Sequence, residues 1–182
     1  MDSRYGHEPL IAVCDDDATA ASSLRALLAD GLGADRLSLI GRPHFAAGQA
    51  GGIYTIGGRL KLSGRLAPPW QEAWTQLTSP AVFLLPPVGL VVAAGPFTLS
   101  IAAGLRGADD AVGDSPMALA LALWSIGVSR DQAIDYENAL AEDRLLIVVQ
   151  DSPAAVERAR NSLARVRPVA RQAAPPACSR PG

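Results

Sequence analysis

Residues 73–105 read AWTQLTSPAVFLLPPVGLVVAAGPFTLSIAAGL and contain no charged side chain. A stretch of this length could cross a membrane, because a spanning helix needs about 20 apolar residues. It is interrupted by Pro80, Pro86, Pro87 and Pro96, and each proline costs roughly 3 kcal/mol in a helix interior. Lipid cannot satisfy the carbonyls that prolines leave unpaired. We therefore predict an apolar, proline-broken helical segment that is covered by protein, by further copies of the chain or by a membrane surface.

The composition is typical of one domain with a sizeable core. Of the 182 residues 49% are hydrophobic, and the formal net charge is -2. This charge balance and the 5% aromatic content give no reason to expect nucleic acid as a partner. The two cysteines, Cys14 and Cys178, do not form a disulfide framework, and residues 1–8 lack the pattern of a secretory signal peptide. We expect a cytoplasmic protein, peripheral to a membrane if it meets one.

Three short apolar runs predict buried strands: LIAVC (10–14), LSLI (37–40) and LLIVV (145–149). A helix capped by one of the aspartates 15–17, with Asp17 the favoured candidate, joins the first two runs, which gives a strand–helix–strand unit. Ser129 with Gln132 forms a capping-box pattern for a later helix. The predicted fold class is α/β, an α+β sandwich with ferredoxin-like βαβ elements.

Two alternating runs, 53–56 and 59–62, flank Gly57-Gly58 and predict an inserted β-hairpin, because glycine supplies the positive φ of a tight turn. The predicted organisation has a flexible N-terminus (1–8), one domain (9–166) that includes the hairpin and apolar insertion (53–105), and a disordered tail (167–182). The tail is rich in Pro, Ala and Arg and shows no hydrophobic period.

Several motifs follow one another in an order that resembles a known family. They are GIYTIGGRLKLSG (52–64), Trp70-x3-Trp74, FLLPPVGLVVAAGP (83–96), GVSRDQAIDYENAL (127–140) and the strand LLIVV. This order resembles the bacterial general-stress or low-temperature-induced protein family, whose biochemical function is unknown. Gly58 stands where the family usually carries Asp in its hairpin turn. The resemblance implies an α/β sandwich and a stress-linked role, and it supplies no catalytic residue.

The sharpest enzymatic hypothesis uses the sheet edge at which two parallel strands would end. Cys14, Asp15, Asp16, Arg42 and His44 would converge there, with Cys14 as nucleophile and His44 as base. The alternative interpretation is structural: a core cysteine, helix-capping aspartates and a loop histidine. We predict no metal site, because adjacent aspartates are usually solvated, and no cofactor, because no phosphate-binding loop occurs.

Arg59 and Lys61 lie two apart on a predicted strand and so face one side, where they could meet an anion or an acidic partner. The alternative is the solvated face of a hairpin. Arg42 is a third candidate for anion or partner binding. Trp70 and Trp74 form one helical stripe that belongs either to the core or to a membrane interface. The predicted interface residues are Trp70, Trp74, Phe83, Leu84, Leu85 and Phe97.

The first functional hypothesis is a non-enzymatic, stress-associated protein whose apolar segment mediates self-association or docking to a membrane surface or protein partner. It rests on the rule that a large apolar surface which one small domain cannot cover marks an interface. A homo-oligomer is the expected state. The alternative hypothesis is a small-molecule-binding or catalytic α/β domain that works at the Cys14/His44 edge. An integral membrane protein ranks third, because of the prolines.

Overall fold

The structure, a computed structural model, describes residues 9–46, 48, 51–56, 59–86, 88–109 and 118–166. Several predictions lie outside these residues: the flexible N-terminus, the Gly57-Gly58 turn and the disordered tail. The described elements in chain order are β1 (Leu10–Cys14), α1 (Asp17–Ala29), a 3-10 turn (Ala34–Arg36), β2 (Leu37–Gly41), β3 (Gly52–Ile56), β4 (Arg59–Ser63), α2 (Trp70–Gln76), β5 (Ala81–Leu85), β6 (Gly89–Ala94), α3 (Phe97–Asp109), α4 (Ala118–Ser125), α5 (Arg130–Ala141), β7 (Leu145–Val149) and α6 (Pro153–Val166).

Five strands form an antiparallel sheet in the order β1-β7-β2-β6-β5. The predicted strands β1, β2 and β7 are confirmed, and all the residues of each are buried. β7 lies between β1 and β2, so these two strands run parallel to each other without being neighbours. The chain is therefore an α+β protein, and the predicted ferredoxin-like topology is not confirmed.

The prediction of a helical apolar segment is wrong for residues 81–94, which form the hairpin β5–β6 with Leu85 opposite Gly89. Pro80 and Pro86 lie just outside β5, where a strand tolerates proline and a helix interior does not. The valines of both strands favour extended backbone. Gly89 has φ +95°, which glycine adopts without the strain of a side chain.

Helices cover both faces of the sheet. Alternate strand residues pack against α1, α2 and α6 on one face, and the intervening ones pack against α3, α4 and α5 on the other. The apolar segment is buried between these layers through Leu85, Val91, Phe97 and Ile101. Its cover therefore comes mainly from the chain itself. No helix among the described residues combines the length and hydropathy that a membrane span requires.

A separate two-stranded sheet is formed by β3 and β4, with Ile56 opposite Arg59 and Gly52 opposite Ser63. The chain on either side of this sheet is joined by an isolated bridge between Phe45 and Leu66. β4 and the residues that follow it lie beside α2 and the start of β5. The small sheet therefore contacts the main sheet at its edge strand β5.

Candidate functional site

The predicted sheet-edge cluster forms around His44. Nδ1 of His44 lies 2.8 Å from Oδ2 of Asp17, and Nε2 lies 3.0 Å from Oδ1 of Asp143. Asp17 opens α1, and Asp143 lies in the turn before β7 with φ +67°. Because β7 runs between β1 and β2, the turn that precedes it reaches the same sheet edge as the ends of those strands.

The two carboxylates determine the charge of His44. An imidazole donates from both ring nitrogens only when it is protonated. Burial alone would lower the pKa of His44, but the hydrogen bonds and charges of Asp17 and Asp143 outweigh it and raise the pKa above its ordinary value. The cluster is therefore a hydrogen-bonded clamp, ion-paired when His44 is protonated, that joins α1, the loop after β2 and the turn before β7.

Cys14 does not join His44 in a nucleophile–base pair. The thiol is fully buried, and His44 bonds to Asp17 and Asp143 instead. Burial, with a smaller contribution from the charges of Asp15 and Asp16, raises the pKa of Cys14 to about 12. A thiol of this kind is protonated at neutral pH and behaves as a small core side chain.

The neighbouring charged residues also have structural partners. Asp16, and not Asp17, caps α1 by accepting the amide of Thr19 at 2.7 Å, which lowers the pKa of Asp16. Asp15 lies 3.8 Å from the guanidinium of Arg144. Nη2 of Arg42 donates to the carbonyl of Val88 at 3.0 Å and so holds the β5–β6 turn. Among the residues that the structure describes, no group of His, Cys, Asp or Glu is arranged to hold a metal ion.

A second candidate site is a groove of about 530 Å³ between β4, α2 and the start of β5. We name it the basic groove. This volume falls within the range of small-ligand sites. Its lining residues are Lys61, Leu62, Gly64, Arg65, Leu66, Gln71, Trp74, Thr75, Pro80, Ala81 and Val82.

The two cations of the basic groove have no anionic partner among the residues that the structure describes. Lys61 and Arg65 are exposed, and within the described part of the chain neither side chain takes part in an ion pair or a hydrogen bond. Lys61 is also the only lysine in the sequence. Two uncompensated cations beside an apolar wall attract an anionic group and leave it close to apolar surface.

The apolar part of the basic groove comes from Trp74, Leu62, Leu66 and Val82, all buried or half-buried. Trp74 lies on α2, and the other tryptophan of the predicted stripe, Trp70, is fully buried in the core. Trp70 therefore fits the core interpretation, while Trp74 packs against the core and also lines the groove. A role of these rings at a membrane interface stays a prediction.

The position of the groove walls is fixed by bonds to the main body. Arg25 on α1 pairs with Glu72 on α2, with Nε of Arg25 2.9 Å from Oε1 of Glu72. The amide of Ala67 donates to the carbonyl of His44 at 2.9 Å. The amide of Ala46 donates to the carbonyl of Arg65 at 2.8 Å. The segment that carries Arg65 is thus paired with the segment that carries His44.

The remaining predicted site residues divide between core and surface. Trp70, Leu85 and Phe97 are buried within the chain, so their side chains form no outer surface. Phe83 is half-buried and Leu84 is 61% exposed. The backbone of Arg59 pairs with Ile56 in the hairpin, whereas the side chain of Arg59 lies outside the described part of the structure.

Sequence reasoning missed Arg65 and Asp143. Arg65 lies four residues after Lys61, and a search for further cations beside the predicted hairpin could have found it. Asp143 is 99 residues from His44, and no local pattern joins the two. Comparison with known proteins adds no further assignment: no family model, curated protein or solved structure matches the chain.

Proposed function

We propose that this is a non-enzymatic binding protein whose functional surface is the basic groove, and that the groove takes an anionic ligand with an apolar part. One observation carries the proposal. The exposed cations of Lys61 and Arg65, which have no partner within the described ranges of the chain, lie beside the half-buried ring of Trp74 in a concave site. A cation pair supplies charge-assisted bonds to an anion, and the indole supplies apolar contact area.

Binding is favoured over catalysis because the candidate catalytic groups are engaged in the fold. Cys14 is a buried thiol whose pKa is about 12. Both ring nitrogens of His44 face carboxylates, so the imidazole has no free nitrogen with which to accept a proton from a substrate. These observations support a structural role for the Cys14/His44 edge.

The proposal keeps the stress-linked role that the family resemblance implies and the cytoplasmic location that the cysteine usage favours. It also keeps the ferredoxin-like relationship of strands that the strand–helix–strand pattern predicts. Self-association through the apolar segment also remains part of the proposal, but it now rests on the exposed residues of that segment alone. Most of the segment is buried, while Leu84 and Leu99 are 61% and 66% exposed. Light scattering across a range of protein concentrations tests this part, and a strictly monomeric protein would argue against it.

The groove is tested with 8-anilino-1-naphthalenesulfonate, a dye that combines an anionic sulfonate with aromatic rings. We expect saturable fluorescence enhancement, and we expect the double variant Lys61→Ala/Arg65→Ala to raise the Kd at least tenfold. Arg158→Ala on α6 removes an exposed arginine outside the groove and serves as the matched control. Circular dichroism verifies that each variant is folded. Equal dye affinity in the double variant and the control would contradict the proposal.

A further inference from the structure

The two cations of the basic groove are carried by a stretch of backbone that is held in place. Lys61 lies on β4, and Arg65 follows two residues after that strand ends at Ser63. Gly64, directly before Arg65, has φ +100°, a conformation that glycine adopts without strain. The carbonyl of Arg65 accepts the amide of Ala46 at 2.8 Å. Both cations therefore line the same groove from a fixed wall.

A phosphate monoester matches this pair of cations better than a carboxylate does. At neutral pH a phosphate monoester carries a charge of about -1.5 to -2, whereas a carboxylate carries a single charge. A guanidinium pairs with two phosphate oxygens at once, and an ammonium on its flexible stem approaches a further oxygen. Lys61 and Arg65 are four residues apart, so their Cα atoms are separated by at most about 14 Å. Two long side chains at this separation can converge on one group between them.

The wall formed by α2 presents an aromatic ring next to a side-chain amide. Trp74 lies three residues after Gln71, and residues at this spacing are neighbours on one face of a helix. Both side chains line the groove. Gln71 is exposed, and within the described ranges its side-chain amide has no hydrogen-bond partner. Because an amide both donates and accepts, this wall fits a planar ring with polar atoms at its edge, stacked on the indole.

The size and charge of the groove favour a small ligand over a polymer. Its volume of about 530 Å³ lies in the range of sites that take one ring system with a charged substituent. A nucleic acid polymer usually requires a broad basic surface, whereas this chain has a formal net charge of -2. One phosphate and one ring are consequently the parts that the groove can bind.

We infer, on the basis of the function proposed above, that the anionic ligand is a small heteroaromatic phosphate monoester of the size of a nucleoside monophosphate. Lys61 and Arg65 bind the phosphate, the indole of Trp74 stacks on the ring, and Gln71 bonds to the polar edge of the ring. The phosphate and the ring contact different walls of the groove, so a molecule that lacks either part binds more weakly.

The first test compares ligands on the full chain by isothermal titration calorimetry. The probes are adenosine, guanosine, cytidine and uridine 5′-monophosphate. We expect at least one of them to bind saturably and to displace 8-anilino-1-naphthalenesulfonate. The corresponding nucleoside, without phosphate, and ribose 5-phosphate, without the ring, should each bind at least tenfold more weakly. Absence of binding by all four nucleotides, or equal binding of a nucleotide and either of its fragments, would overturn the inference.

The second test assigns each part of the nucleotide to its residues. Lys61→Ala/Arg65→Ala should weaken nucleotide binding at least tenfold and leave nucleoside binding within about threefold. Trp74→Leu should weaken nucleotide binding at least tenfold and leave ribose 5-phosphate binding within about threefold. Circular dichroism verifies that the variants are folded. Equal nucleotide affinity of Trp74→Leu and the wild type would overturn the assignment of a stacked ring.

A matched pair on α2 tests the contact with the edge of the ring. Gln71→Ala should weaken nucleotide binding by about threefold to tenfold, as expected for the loss of a hydrogen bond. Gln76→Ala removes an exposed glutamine from the same helix outside the groove lining and should leave the affinity unchanged. Equal affinities of these two variants would overturn the assignment of a polar-edged ring.

The two proposals fail in distinguishable ways. If binding of the dye requires Lys61 and Arg65 but no nucleotide binds, the groove is a ligand site and the assignment of a phosphate monoester is wrong. If neither the dye nor any nucleotide depends on these cations, both proposals are wrong.

Discussion

The His44 clamp and the basic groove both collect charged side chains, but they differ in how the charges are compensated. His44 lies between two carboxylates, and both of its ring nitrogens are within hydrogen-bond distance of them. Lys61 and Arg65 face an open groove without an anionic partner among the described residues. The difference separates a cluster that holds the fold together from one that is available to a ligand.

The comparison also corrects the usual expectation from residue types. A histidine with aspartates beside a cysteine suggests catalysis, whereas a lysine and an arginine near a hairpin suggest a solvated surface. In this protein, burial and ion pairing make the opposite assignment: the histidine cluster is structural, and the surface cations are available for binding. Cys14 and His44 are engaged within the fold, and the surface cations are the groups whose charge remains unused.

The largest expected effect is that of charge reversal in the basic groove. Lys61→Glu/Arg65→Glu should weaken binding of 8-anilino-1-naphthalenesulfonate by about 100-fold or more, because attraction is replaced by like-charge repulsion. The free energy of unfolding should change by no more than about 0.5 kcal/mol, as expected for exposed side chains without partners. Fluorescence titration with the dye and urea denaturation measure the two quantities. A large loss of stability without loss of binding would reverse the roles assigned to the two clusters.

Removal of the His44 side chain should lower the stability of the protein and leave ligand binding nearly unchanged. His44→Ala deletes the contacts with Asp17 and Asp143, and we expect a loss of about 1 to 2 kcal/mol in the free energy of unfolding. Dye affinity should stay within about threefold of the wild type, because the backbone bond from Ala67 to His44 is retained. Exposed Arg158→Ala provides the stability control, and equal unfolding midpoints for the two variants would show that the clamp contributes nothing.

The contacts of His44 should also make the stability of the protein depend on pH. Because the pKa of His44 is raised in the folded protein, the folded state holds this proton more tightly than the unfolded chain. The stabilisation is complete below the ordinary histidine pKa of about 6.5. It is lost as the pH rises through the higher pKa of the folded state. Urea denaturation between pH 5.5 and pH 9 should show this decline in the wild type and a smaller one in His44→Ala; parallel curves would exclude the clamp as its source.

The smallest expected effect concerns Cys14. Its fully buried thiol should not react with a maleimide in the folded protein and should react once urea unfolds the chain. Tryptic mass mapping separates Cys14 from Cys178. Rapid modification of Cys14 under native conditions would restore Cys14 as a candidate nucleophile.

The sequence indicated the central strands because LIAVC, LSLI and LLIVV are short, continuous apolar runs with clear boundaries. The capping box of Ser129 and Gln132 is also confirmed. The run 81–94 was misassigned because an apolar stretch rich in proline has neither helical nor alternating periodicity. Its assignment depends on β6 pairing with β2, a contact between distant parts of the chain.

The candidate sites could be predicted only in part for a similar reason. The strand–helix–strand connection predicts that His44 lies at the same sheet edge as the aspartates of α1. This placement follows from local connectivity, because the two strands are joined by one helix. Asp143 joins them only because β7 lies between β1 and β2. The basic groove requires the hairpin, α2 and β5 to come together, and Lys61 was identified without Arg65 or the edge strand for that reason.

The central claim, that the groove cations are free and bind a ligand, is tested most directly by reductive methylation of amines. Lys61 is the only lysine, so the protein contains one ε-amino group, and the α-amino group serves as an internal reference. Mass mapping follows both sites with and without saturating 8-anilino-1-naphthalenesulfonate. The account predicts that the dye slows methylation of Lys61 at least tenfold and leaves the α-amino group unaffected. Equal rates at Lys61 with and without bound dye would contradict it.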